Sequence, residues 1–191
     1  MSDLIITANE AMAFLGFKSK PDDFPVIEAI VLAFDKAVKN HCGRCFNLVT
    51  GAIEYLDGDG TSELWLSDYP VANVVINIDS DQDQVFDDDD IDTEDYVVYP
   101  EKGLLYYRLY FPIGHRNVRV THDKGFSDDD MPADLELVCK VEVKNLYDRI
   151  QEGSMGLKDY SVAGMRKTFF DATLTPWSKG VLDENYKKMR A

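Results

Sequence analysis

The sequence predicts an α+β domain, with helices at the N-terminus and after a small antiparallel β unit, and an extended C-terminal arm. Three observations predict it. Apolar residues recur at helical spacing before Gly43 and after Pro132. Between those stretches lie short β-like runs punctuated by Pro70, Pro100 and Pro112, residues that cannot sit in central strands. Beyond Gly153 the periodicity lapses. Helices bracket the strands rather than alternate with them, which excludes repeated βαβ units.

Thr7-Ala-Asn-Glu10 reads as a capping box, followed by a stripe of Ala11, Phe14 and Leu15 that ends near Gly16. A second helix opens around Pro25. Val26, Ile27, Ile30, Val31, Phe34 and Val38 keep helical spacing, and Gly43 is its stop. Strands are expected at Ile53–Leu56, Leu64–Leu66, Val71–Ile78, Tyr96–Tyr99, Leu104–Leu109 and Val118–His122. Asp57-Gly-Asp-Gly60 reads as a tight turn between two of them. Pro132 suits the first position of a third helix that carries Leu135, Val138, Cys139 and Leu146 and stops at Gly153. A terminal helical turn is expected at Leu182–Met189. The expected division is a core domain over 1–151 and an arm over 152–191.

The chain has 191 residues, 45% of them hydrophobic and 12% aromatic, enough for a real core. No apolar run approaches the roughly 20 residues of a membrane helix, so no membrane partner is expected. The start of the chain lacks a basic patch leading into an apolar stretch, so a cytosolic site of synthesis is the default. Three cysteines, an odd number, fit a reducing compartment. Net charge is −15, unsuited to gripping a phosphate backbone. It is also uneven: residues 152–191 hold seven Lys/Arg and five Asp/Glu, a net of +2, and residues 1–151 carry −17.

Three constellations invite a chemical reading. His41-Cys42-Gly-Arg-Cys45 contains a CxxC, but no second pair supplies a zinc site and the motif closes a helix instead of opening one. These cysteines read as small hydrophobes at a helix end, and no metal or cofactor is expected. The segment Asp79–Asp95 holds ten Asp/Glu and no Lys/Arg. Its Asp79, Asp81, Asp83 and Asp87 mimic calcium-loop spacing, but Gln84 stands where that loop needs Gly and Asp90 where it needs Glu. A solvated loop is the simpler reading; a calcium-dependent binding module using residues 79–95 is the alternative. The Gly-rich 57–61 segment lacks the Lys-Ser/Thr of a phosphate loop. No nucleophile–base motif is present, so no catalytic residue is assigned and a carboxylate-based hydrolase ranks last. The C-terminal segment offers aromatic anchors (Tyr160, Phe169, Phe170, Trp177, Tyr186) and basic residues (Lys187, Lys188, Arg190) for a partner surface.

One combination is more specific. Tyr55-Leu-Asp-Gly-Asp-Gly-Thr61 precedes Leu64-Trp-Leu66 and Tyr69-Pro-Val71. Phe111-Pro-Ile-Gly114, Asn117-Val-Arg-Val-Thr121, Gly125-Phe126 and Pro132-Ala-Asp-Leu135 follow downstream. Over roughly residues 4–150 the chain resembles the head–tail connector family of tailed bacteriophages, also called adaptor or head-completion proteins. The resemblance implies a non-enzymatic virion protein of the neck, made in the host bacterial cytoplasm. It implies a homo-oligomeric ring, dodecameric on the portal, that docks under the portal protein and meets tail, neck or stopper proteins. DNA would pass through its channel during packaging and ejection without specific binding. It also favours the C-terminal aromatics as portal or intersubunit anchors. Asp57 within the first motif and the length of the acidic segment depart from the family pattern.

Overall fold

The computed structural model describes residues 4–79, 85–86, 91–153, 159–162, 165–168 and 174–188, the two strands at 159–162 and 165–168 by their backbone. The fold is α+β, with a helix at the N-terminus and two three-stranded antiparallel sheets. The chain divides into two units, one helical and one β, each described by itself below. The helical unit spans Met1–Gly43 and Asp130–Lys187, and the β unit spans Arg44–Asp129 with Lys188–Ala191. The strands form a unit of their own, and residues 174–187 belong with the helices.

In the helical unit, α1 (Ala8–Phe14) begins at the expected capping box. Thr7 accepts from the Glu10 N–H while the Glu10 carboxylate takes the Thr7 N–H at 2.6 Å. Helix α2 (Phe24–Cys42) carries Pro25 in its first turn. It ends on Gly43 in the left-handed conformation, whose N–H bonds the Lys39 carbonyl at 2.9 Å. Its buried face is Ile27, Ile30, Val31, Phe34 and Val38; of the stripe the spacing predicts, Val26 is exposed instead. Helix α3 (Ala133–Gln151) contributes Leu135, Val138, Cys139 and Val143 to the same core. Its Tyr147 hydroxyl donates to Asp23 at 2.5 Å, tying it to the start of α2. A short hairpin, β7 (Asp159–Val162) and β8 (Met165–Thr168), precedes α4 (Pro176–Asn185).

The β unit contains β1 (Val49–Gly58), β2 (Glu63–Trp65), β3 (Val71–Ile78), β4 (Tyr96–Tyr99), β5 (Leu104–Tyr107) and β6 (Gly114–Lys124). One sheet has the order β1–β6–β3 and the other β2–β5–β4. Both feed one core: Val71, Ile76, Val118 and Val120 from the first, Leu64, Tyr96 and Leu105 from the second, with Phe111 between β5 and β6. The Asp57–Gly60 segment is not a hairpin turn. Gly58 ends β1, and the chain crosses to β2 in the other sheet, because β1 finds its partner in β6.

Candidate subunit interface

The two sequence motifs that stood out meet in one joint. Gly58 pairs with Gly114 across β1 and β6. The Gly58 N–H donates to Asn117 Oδ1 at 2.8 Å, and Asn117 Nδ2 donates to the Pro112 carbonyl at 2.8 Å. A Cβ on Gly58 would stand 1.9 Å from the Pro112 oxygen, and one on Gly114 would stand 2.6 Å from the Asn117 side chain. Gly58 is therefore demanded by close backbone approach, and Gly114 by the Asn117 side chain that those hydrogen bonds hold against it. The aspartates fasten the same joint. Asp57 accepts the Arg116 N–H at 2.6 Å, and Asp59 accepts the Thr61 hydroxyl at 2.6 Å and the Thr61 N–H at 2.9 Å; those hydrogen bonds hold both carboxyls below the usual aspartate range. The aspartates thus serve the backbone of the loop.

The joint carries an apolar knob. Leu109, Tyr110 and Ile113 are 64%, 62% and 75% exposed, while Phe111 between them is fully buried. The backbone below is pinned: Phe111 N–H to the Thr61 carbonyl at 2.8 Å, Gly60 N–H to the Phe111 carbonyl at 2.9 Å, and Ser62 Oγ to the Leu109 carbonyl at 2.7 Å. Ile113 packs over Gly60, where an added Cβ would lie 3.1 Å from its Cγ1. Large apolar side chains held out on a fixed loop are what a partner pocket takes up. Composition could have flagged the run Leu109–Ile113, but only the structure separates its one buried member from its exposed ones.

Of the residues assigned to partner binding from sequence, Trp177 is on α4 and 49% exposed. Tyr186 is buried, and its hydroxyl donates to Asp134. It is therefore a packing residue of the helical unit, because α4 lays Leu182 and Tyr186 into that core. Lys187 pairs with Asp183 at 2.9 Å within the same helical turn, and Lys188 is half-buried. Tyr160 stands on β7, its backbone paired with Lys167 of β8. Phe169, Phe170 and Arg190 lie outside the described residues.

Sequence reading missed how α4 is seated. Thr175 caps it, accepting from the Ser178 N–H, with Pro176 in the first turn. Buried Glu142 of α3 accepts the Thr175 N–H at 2.9 Å, the Thr175 hydroxyl at 2.6 Å and the Ser178 hydroxyl. The Thr-Pro pair was the available signal.

Two polar features bear on chemistry. In the β unit, Glu54 accepts the Ser67 N–H at 3.0 Å, Asp68 pairs with Lys124 at 2.8 Å, and fully buried His122 places Nε2 3.5 Å from Glu54. Burial lowers the His122 pKa, against the pull of the Glu54 carboxylate. In the helical unit, Cys42 and Cys139 are buried thiols outside any disulfide; burial pushes Cys139 up to about 12, which leaves it inert as a nucleophile. Cys45 is free and exposed. Among the described residues, no group of three or more His, Cys, Asp or Glu is placed to hold a metal. The acidic positions 80–84 and 87–90 lie outside the described residues. A cleft of about 360 Å³ beside α1 and α2 is lined mainly by apolar side chains, with Lys20 and Glu28 as its charged members. No described helix is long and apolar enough to cross a membrane.

The fold is shared with chains of a phage-like particle. A chain in the virion of a native gene transfer agent particle superposes with a TM-score of 0.55 at 15% identity, covering 98% of this chain and 91% of that one. A chain in the neck of an empty gene transfer agent particle, computed with C6 symmetry, gives a TM-score of 0.52 at 15% identity over the same shares. No protein-family model matches the sequence. No curated protein matches it either.

Proposed function

We propose that the chain is a structural, non-catalytic subunit of the neck of a phage-like virion. It forms a homo-oligomeric ring that docks under the portal and continues the DNA channel toward the tail. The observation that carries this reading is the end-to-end likeness to a neck chain, which spans both units rather than one. The physical character of the chain supports it. The glycine-bearing motifs of the β unit build a pinned loop with an apolar knob, and among the described residues no group of three or more His, Cys, Asp or Glu is placed to hold a metal. The acidic body suits a channel wall past which DNA slides, since like charge repels phosphate. Trp177 and the knob of Leu109, Tyr110 and Ile113 are the anchors best placed for neighbouring virion proteins.

The test is co-sedimentation of the purified full chain with portal rings, followed by electron microscopy of the pelleted complex. A ring coaxial with the portal is expected. A chain that stays in the supernatant at every concentration, with portal rings intact, overturns the reading.

A further inference from the structure

The four sheet edges of the β unit are not treated alike. Strands β2 and β4 are edges of three and four residues, and Pro100 directly follows β4. The longer edge strands are β3 and β1. The Asp79 N–H donates to the Asn117 carbonyl at 2.9 Å, one step beyond the Ile78–Val118 pair. Bonded pairs alternate along an antiparallel ladder, so Asn117, Arg119 and Thr121 bond toward β3, whereas Val118, Val120 and His122 bond toward β1. The same alternation turns the Val74 and Ile76 carbonyls off the outer edge of β3. Both are met there, by the Tyr96 hydroxyl at 2.6 Å and the Ile91 N–H at 2.8 Å.

Among the described residues strand β1 has no such cover. Its Ala52, Glu54 and Leu56 face His122, Val120 and Val118 in register, so Ile53 and Tyr55 turn their N–H and C=O groups off the free edge. Among the described residues no backbone group from outside the sheet bonds to the backbone of positions 52–57. The strand is ten residues long, contains neither Lys nor Pro, and exposes Val49, Ile53 and Tyr55. Natural proteins blunt such an edge unless it is used.

The same chain carries a matching piece. Among the described residues strands β7 and β8 pair only with each other. A lone two-stranded hairpin is marginal in water and gains from a further strand. Residues 158–168 hold Lys158, Arg166 and Lys167 against Asp159, a net of +2. Strand β1 holds Glu54 and Asp57 and no cation, a net of −2.

We propose that the β7–β8 hairpin of one copy adds to the free edge of β1 in the next, extending the β1–β6–β3 sheet across the subunit boundary. One surface meets a different surface of an identical neighbour, the head-to-tail contact that generates rings. This deepens the ring reading above and rests on it.

The experiment uses the full chain and two variants, sized by sedimentation velocity over a concentration series at low salt, with folding checked by circular dichroism. Ile53→Pro removes an edge-facing N–H and spares the ladder to β6. The second variant replaces Asp159–Thr168 with a Gly-Ser linker. Wild type is expected to assemble beyond a dimer, and each variant alone to associate about tenfold or more weakly, the worth of roughly one hydrogen bond. An equimolar mixture of the two is expected to form one-to-one dimers, because one supplies the hairpin and the other the edge. If Ile53→Pro fails to fold, the linker variant mixed with wild type is expected to cap and shorten the assemblies. Undiminished assembly of both variants overturns the contact and leaves the neck reading standing. A wild type that stays monomeric throughout also overturns it, whereas failure of the neck reading shows separately, as absence from portal pellets. Loss of amide protection in β7–β8 of monomeric Ile53→Pro would instead place the hairpin on its own chain, and equally overturns the contact.

Discussion

The helical and β units differ first in charge. The β unit's residues 44–129 carry nineteen Asp/Glu and six Lys/Arg, a net of −13, against −4 for the helical stretches 1–43 and 130–187. They differ next in how they close. The helical unit seals itself: α4 brings Leu174, Leu182 and Tyr186 into burial, and Glu142 satisfies the donors at its start. Among the described residues, the β unit leaves a sheet edge and an apolar knob unsealed. Helices satisfy their own backbones, so a helical unit is finished once its apolar stripes are covered. A small open sheet always has edges, and those not blunted are available for assembly. The acidic, open unit is thus the one suited to contacts with neighbours, and the basic hairpin is the element of opposite charge.

The largest expected effect sets the β unit apart through its backbone. Gly125 sits at φ +86°, where a Cβ would stand 2.3 Å from the Asn47 carbonyl oxygen. Gly125→Ala should cost about 3–5 kcal/mol of β-unit stability. Hydrogen exchange should show β6 losing protection while α2 keeps it; equal loss in α2 would mean the two units unfold as one.

The next effect probes the seal of the helical unit. Leu182→Ala empties a fully buried site and should cost about 2–5 kcal/mol, read by denaturant melting with exchange in α3. If only α4 loosens while α3 stays protected, the C-terminal helix is a detachable arm rather than part of the core.

A smaller effect sharpens the contrast through pH. The folded pKa of His122 lies below its ordinary 6.5, so near and below that pH the unfolded chain holds more protons than the folded one. Stability of the β unit should therefore fall as pH drops through the region beneath 6.5, and His122→Gln should flatten the profile. The β-strand amides should therefore lose protection before those of α2. A loss that begins in α2 would contradict this order.

The smallest effect concerns Trp177, which is half-exposed. Trp177→Ala should shift stability by less than about 0.5 kcal/mol and register instead as weaker portal co-sedimentation. A large drop in melting temperature would return Trp177 to the core.

The short helix α1 with its capping box, the two long helices α2 and α3 and the Gly43 stop were legible because each is a local pattern: an apolar stripe, a Thr-x-x-Glu, a glycine at a helix end. The six strands of the β unit were legible from alternation and punctuation. Which of them pair was not, because pairing is long-range: the Gly-rich 57–60 segment looks like a hairpin turn and proves to be a crossover. The two motifs around Gly58 and Gly114 announced themselves in the chain, but not that Asn117 locks them together. Tyr186 and Trp177 look alike in sequence, one exposed-looking aromatic beside another. Only the packing of α4 against α3 decided that the first is core and the second surface, since burial depends on what a residue meets across the fold.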